Sequence, residues 1–176
     1  MTTHNRTRPR DNQKARVYRA GWDAFPIGGD LPTTGDIHRF VKLVESTPLW
    51  QYLTPNHNNP VQVERKAAHG KTLSTAYPRT WRIRIGHGPH HETRTTILHE
   101  LAHLACYAEH QFTVQPHGPE FCAIYIALLK NHLPDAADRF RLSALTRRVH
   151  ISQRNYYREA LQAQERERET TNRAAF

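Results

Sequence analysis

One pentapeptide, His99-Glu100-Leu101-Ala102-His103, constrains this 176-residue chain more than any other stretch. Two histidines four residues apart can reach one metal ion on a helix, where they lie about 40° apart around the axis, but not on a strand, where they share a face about 13 Å apart. The segment must therefore be helical and must bring both imidazoles to one point in the fold. Two neutral imidazole nitrogens so placed can grip one metal ion, and Glu100 beside them can take a proton from a bound water. The chemistry needs nitrogen donors that leave zinc Lewis-acidic, an open coordination position and a nearby base. Zinc-dependent hydrolysis, of peptide bonds first, is what the pattern points to. With 13 histidines in the chain the pattern can also arise by chance, so its surroundings decide.

The surroundings fit. Residues 93–108 read as one helix, with Thr93 as N-cap and Thr96 where a complete capping box would have Glu. Ile97, Leu101, Leu104, Ala105 and Ala108 recur at helical spacing, and His99 and His103 lie beside that apolar face.

A catalytic zinc takes a third protein ligand. A metzincin would carry Gly at position 106 and His at 109; this chain has Cys106 and Glu109, with His110 out of register. Downstream, His117-Gly118-Pro119-Glu120-Phe121 opens an apolar helix-like run through Leu133, with Pro119 in its first turn. His117 and Glu120 are both ligand candidates here, and Glu120 is equally a capping acid at the positive end of a helix.

The pairing of HELAH with HGPEF and an apolar helix resembles the SprT-like metallopeptidase family, which includes the Spartan proteases. The matching stretch is roughly residues 92–130. The resemblance implies one Zn2+ per chain held by His99, His103 and His117, with Glu100 as general base, and it places His117 ahead of Glu120. It also implies an α+β, zincin-like minidomain with a small, mostly antiparallel sheet, the HExxH helix and a second active-site helix. Some members carry a zinc ribbon, which the two cysteines of this sequence cannot form.

Cys106 and Cys122 fall on apolar helix faces and read as buried free thiols, which fits a reducing, cytoplasmic compartment. No apolar run reaches a membrane span, and the basic N-terminus lacks the apolar segment of a secretory signal. Mean hydropathy is −0.77, low enough that part of the chain is expected to stay unpacked. Residues 1–20 are basic and polar and read as a flexible arm. Residues 21–135 read as the metallopeptidase core, and 136–176 as a basic C-terminal helical region and tail, broken near Ile151-Ser152.

Within the core, 21–35 reads as a loop, and Asp36 as the N-cap of a helix ending near Pro48. Strands are expected at 61–64, around 72–76 and at 81–85, where Trp81-Arg82-Ile83-Arg84-Ile85 alternates apolar and basic. In zincins the strand before the HExxH helix often forms the sheet edge that binds extended substrate, which points to 81–86.

Net charge is +9. Arg82 and Arg84, and further on Arg147, Arg148, Arg154 and Arg158 near Phe140, Tyr156 and Tyr157, form a basic and aromatic mix. Such a mix suits DNA, single-stranded DNA in particular, although each residue also fits a solvated helix face. Spartan-type members act on proteins attached to DNA, so the resemblance implies a protein substrate on DNA. Two other classes stay open: a nucleic-acid-binding protein with a structural or vestigial zinc site, including a helix-turn-helix over 145–162, and a zinc hydrolase acting on something other than protein. His87, His90, His91, Tyr107 and Tyr125 are candidates to stabilise an oxyanion, and His110 is read as a surface histidine.

Overall fold

The computed structural model describes residues 9–25, 28–66 and 73–174. Seven helices and three strands are seen among them: α1 (Lys14–Ala24), α2 (Thr34–Glu45), α3 (Pro48–Leu53), β1 (Gln62–Arg65), β2 (Thr75–Tyr77), β3 (Arg82–Ile85), α4 (Arg94–His110), α5 (Pro119–His132), α6 (Pro134–Thr146) and α7 (Tyr156–Ala174). The chain is thus α+β and mostly helical. The sheet packs on α4 from one side and α5 from the other, while α6 lies between α1 and α5.

The sheet corrects two expectations. Its order is β1-β3-β2, with β1 parallel and β2 antiparallel to β3, so it is mixed rather than mostly antiparallel. β3 is central and paired on both sides, so the edge beside α4 belongs to β2. The alternation of β3 explains its place: Ile83 and Ile85 are fully buried. Its basic face is not left to solvent. Arg82 Nη1 lies 2.7 Å and Arg84 Nε 3.1 Å from the Glu64 carboxylate on β1, and both guanidinium groups lie over the ring of Tyr77 on β2.

The region read as an arm is helical from Lys14. The buried residues of this helix, Val17, Ala20 and Ala24, fall on one stripe, and their small size lets α1 sit closely on α6. Gln13 fixes the start of α1, donating through Nε2 to the His150 carbonyl at 2.9 Å and accepting from the His150 amide at 2.9 Å. Arg139 Nε donates to the Ala24 carbonyl at 3.0 Å. One apolar core therefore runs from Val17 to Ala160, and the boundaries expected near residues 20 and 135 do not divide it. Residues 1–8 of the expected arm lie outside the described residues.

Two smaller differences concern caps. Thr33, not Asp36, caps α2; Asp36 is the third residue of a complete capping box, its carboxylate accepting from the Thr33 amide. The short helix α3, capped by Thr47, has no counterpart in the sequence reading. At the C-terminal side, nine residues separate α6 from α7, too many for the tight turn of a helix-turn-helix. Among the described residues no helix is long and apolar enough to cross a membrane.

Candidate metal centre

α4 forms as its pattern predicts. Thr93 Oγ1 accepts from the Thr96 amide at 3.1 Å, and Ile97, Leu98, Leu101 and Leu104 are fully buried. The helix ends at Gln111, whose φ of +52° turns the chain back. At the next turn the Gly118 amide donates to the Gln115 carbonyl at 3.0 Å. A Cβ on Gly118 would stand 3.0 Å from Gln115 Cβ and 3.1 Å from its carbonyl oxygen, so glycine lets the turn close without displacing Gln115. Pro119 then starts α5, and His117 is left facing α4.

The result is a three-histidine cluster. Ligand nitrogens of His99, His103 and His117 all lie within 4.8 Å of one another. His117 Nε2 stands 3.3 Å from His99 Nε2. Two nitrogens bound at about 2.05 Å to one tetrahedral zinc would stand about 3.4 Å apart, so the donors fit that ion. Phe121, fully buried on α5, packs against all three imidazole rings, at centroid distances of 4.4 to 5.0 Å. Glu120 is not part of the cluster; it occupies the first turn of α5.

Electrostatics favour metal-ready ligands. Burial, with help from His117 and Lys14, holds His99 well below the usual histidine range, so it is the neutral imidazole that metals bind. Glu100, on the same helix, is only 4 % exposed. Burial raises its carboxyl to about 8, against a lowering pull from the Ala76 amide on β2 and from Lys66.

Two residues that the sequence reading did not single out, Asp11 and Tyr18, contact the cluster. Asp11 Oδ2 accepts a 2.7 Å hydrogen bond from His117 Nδ1. This bond fixes the tautomer with the proton on Nδ1, so that the Nε2 lone pair faces the other two histidines. Tyr18 on α1 lays its ring against His99 and His117, at 5.4 and 5.2 Å between centroids. Burial and the carboxylates of Glu100 and Asp11 push its hydroxyl up to about 12, so it remains a donor. The only signal available was helical spacing in an Arg-rich segment.

The profile of the SprT-like family matches residues 46–137, just over half of the chain, and spans HELAH and HGPEF. The chain belongs to the SprT-like family. No curated protein and no solved structure matches it significantly. The matched SprT-like segment carries all three histidines and Glu100, whereas Asp11 and Tyr18 lie before it.

The remaining candidates are spread through the fold. His90 and His91 line the same cavity as Glu100, and His91 Nδ1 lies 3.4 Å from Ser74 Oγ. Tyr125 also lines it, but its hydroxyl donates to the Thr95 carbonyl at 3.1 Å. His87 lies 3.6 Å from Glu92, Tyr107 packs on Phe112, and His110 Nε2 lies 3.2 Å from the Tyr156 hydroxyl. Cys106 and Cys122 are free and buried, and burial pushes both thiols up to about 12.

The six arginines do not form one patch of free charge. Arg82 and Arg84 face Glu64, and Arg147 is 2.8 Å from Asp23. Arg154 joins Glu109 to Glu159, tying α4 to α7. Among the described residues the ion pairs include neither Arg148 nor Arg158, both exposed.

Proposed function

We propose that the protein is a zinc-dependent metallopeptidase in which His99, His103 and His117 hold one Zn2+ and Glu100 is the general base. The observation that carries this reading is the convergence of three imidazole nitrogens, two of them 3.3 Å apart, beside a buried carboxylate on the same helix. Three nitrogen donors match catalytic zinc sites, whereas structural sites close with four protein ligands; this weighs against a purely structural zinc. A zinc ion bound there would supply Lewis acidity toward water and the scissile carbonyl. Glu100 then accepts the attacking water's proton and delivers it to the leaving amine. Tyr18 supplies a protonated hydroxyl beside His99 and His117, suited to meeting charge that develops on the carbonyl oxygen. β2, the outer strand facing α4, offers an extended peptide a main-chain edge next to Glu100.

The substrate we infer is protein bound or crosslinked to DNA in the cytoplasm. A net charge of +9 supports DNA as a tether, single-stranded DNA in particular, with exposed Arg148 and Arg158 the better-placed phosphate contacts of the six. The test is cleavage of a DNA-binding protein by zinc-loaded enzyme, with and without single-stranded DNA, beside Glu100→Gln. Glu100→Gln should keep zinc and lose cleavage; cleavage by that variant refutes the mechanism. Zinc and DNA binding with no cleavage under any condition would favour the nucleic-acid-binding reading.

A further inference from the structure

A cavity of about 500 Å3 opens directly beside His99 and Glu100, a volume in the range of small-ligand pockets. One wall comes from α1, where Tyr18, Gly21, Trp22 and Phe25 follow helical spacing i, i+3, i+4, i+7 and so share a stripe. Tyr125 of α5 and Phe140 of α6, both buried, back this wall. Phe25 stacks on Phe140 at 6.0 Å, and Tyr125 meets Phe140 edge-on at 5.0 Å and His99 at 5.4 Å. The aromatic floor is thus continuous with the metal ligands. At the mouth stand two large apolar side chains left open to solvent, Trp22 at 73 % and Leu73 at 66 % exposed. Leu73 lies two residues before β2, along which extended substrate would lie.

We propose that this cavity is the subsite for the substrate side chain flanking the scissile bond, and that it selects large aliphatic and aromatic residues. The inference rests on the metallopeptidase reading. Glu100, which the reaction itself uses, is the one carboxylate among the described residues that line the cavity, so a lysine-like ammonium would be desolvated there without a partner of its own. An apolar one would bury its surface against Tyr18, Trp22 and Phe25. The wall belongs to α1 and α6, and α1 precedes the matched SprT-like segment, so this selectivity would be particular to chains that carry such a helix.

Gly21 makes the subsite testable. A Cβ there meets only Phe25 ring carbons, at 3.7 and 3.8 Å, so Gly21→Leu fits the helix while its branches fill the cavity. Leucine also has the better helix propensity. The probes are peptidyl hydroxamates with a benzyl, isobutyl, aminobutyl or no side chain, titrated calorimetrically into zinc-loaded protein. The benzyl and isobutyl probes should bind about 10- to 100-fold more tightly than the other two. In Gly21→Leu, with zinc content and circular dichroism confirming an intact protein, that ratio should fall toward one. Tight but equal binding of all four probes, or a ratio unchanged by Gly21→Leu, overturns the subsite alone. No binding of any probe by the zinc-loaded protein overturns the subsite and the metallopeptidase reading together.

Discussion

Removing the Asp11 carboxylate should weaken zinc binding without touching a ligand. The His117–Asp11 hydrogen bond is 2.7 Å long, with side-chain exposures of 5 % and 20 %, so water competes poorly for it. The other Asp11 oxygen, Oδ1, is buried and has no hydrogen-bond partner among the described residues, an arrangement that costs free energy. Charge-assisted and short, the bond holds His117 in the Nδ1–H tautomer and points Nε2 at the cluster. Loss of such a partner lowers metal affinity by about 10- to 100-fold, or about 1.4–2.7 kcal/mol. Asp11→Asn can still accept from Nδ1 but carries no charge, so it should lose less than Asp11→Ala. Competition with a chromogenic chelator gives the zinc Kd, and the visible absorption of the cobalt form reports ligand geometry. Thermal melts of the metal-free proteins separate ligand orientation from undocking of α1, which Gln13 also anchors. Asp11→Ala binding zinc within about twofold of the parent, with an unchanged cobalt spectrum, would refute the reasoning.

Tyr18→Phe should retain zinc and lower kcat about 100-fold with a smaller change in KM, as expected for a donor used mainly in the transition state; equal kcat would remove Tyr18 from the chemistry. Arg148→Ala and Arg158→Ala should each weaken single-stranded DNA binding and flatten its salt dependence by about one unit, read by fluorescence anisotropy across a salt series. Arg154→Ala should instead lower Tm, because its guanidinium joins Glu109 to Glu159, with little change in DNA affinity. Burial holds the His132 imidazole below its usual range, so the unfolded chain takes up its proton first as pH falls through about 6.5. Stability contributed there is present above that pH and lost below it; His132→Phe should flatten the fall in Tm between pH 7 and pH 5, and an unchanged slope would assign that loss to other groups.

What the sequence disclosed was what sits within one helix or one alternating strand. HELAH, Thr93 and the leucines of α4 are related by local spacing, and so are Ile83 and Ile85 of β3. The short turn with its glycine and proline offered both His117 and Glu120, and it was the family resemblance that placed His117 first. Sheet order was not accessible this way, because four-residue strands carry too little pattern to say which is central. Arg82 and Arg84 illustrate the consequence. A basic strand face reads as solvated until Glu64 and Tyr77 arrive from neighbours on either side. In α1 the difficulty was composition. Arg16 and Arg19 masked a stripe of only Val17, Ala20 and Ala24, and small residues contribute little to any apolar pattern though they pack most closely.

That masking matters because the hidden helix is where the site differs from the pattern that announces it. HELAH and HGPEF supply three imidazole nitrogens that could hold a metal ion, with the buried Glu100 carboxylate on the same helix. They do not supply the carboxylate behind His117, the phenol beside His99, or a wall of the cavity next to Glu100. All three come from residues 11–25, more than seventy positions away in sequence, held in place by Gln13 on the His150 backbone and by Arg139 on the Ala24 carbonyl. Loosening those two anchors therefore reaches the metal through Asp11 and the substrate through Phe25 at once. Zinc affinity and side-chain selectivity should fall together in Gln13→Ala, whereas Gly21→Leu should change selectivity alone. If Gln13→Ala lowers Tm but leaves both properties intact, α1 is a structural strut and the site belongs to α4 and α5 only.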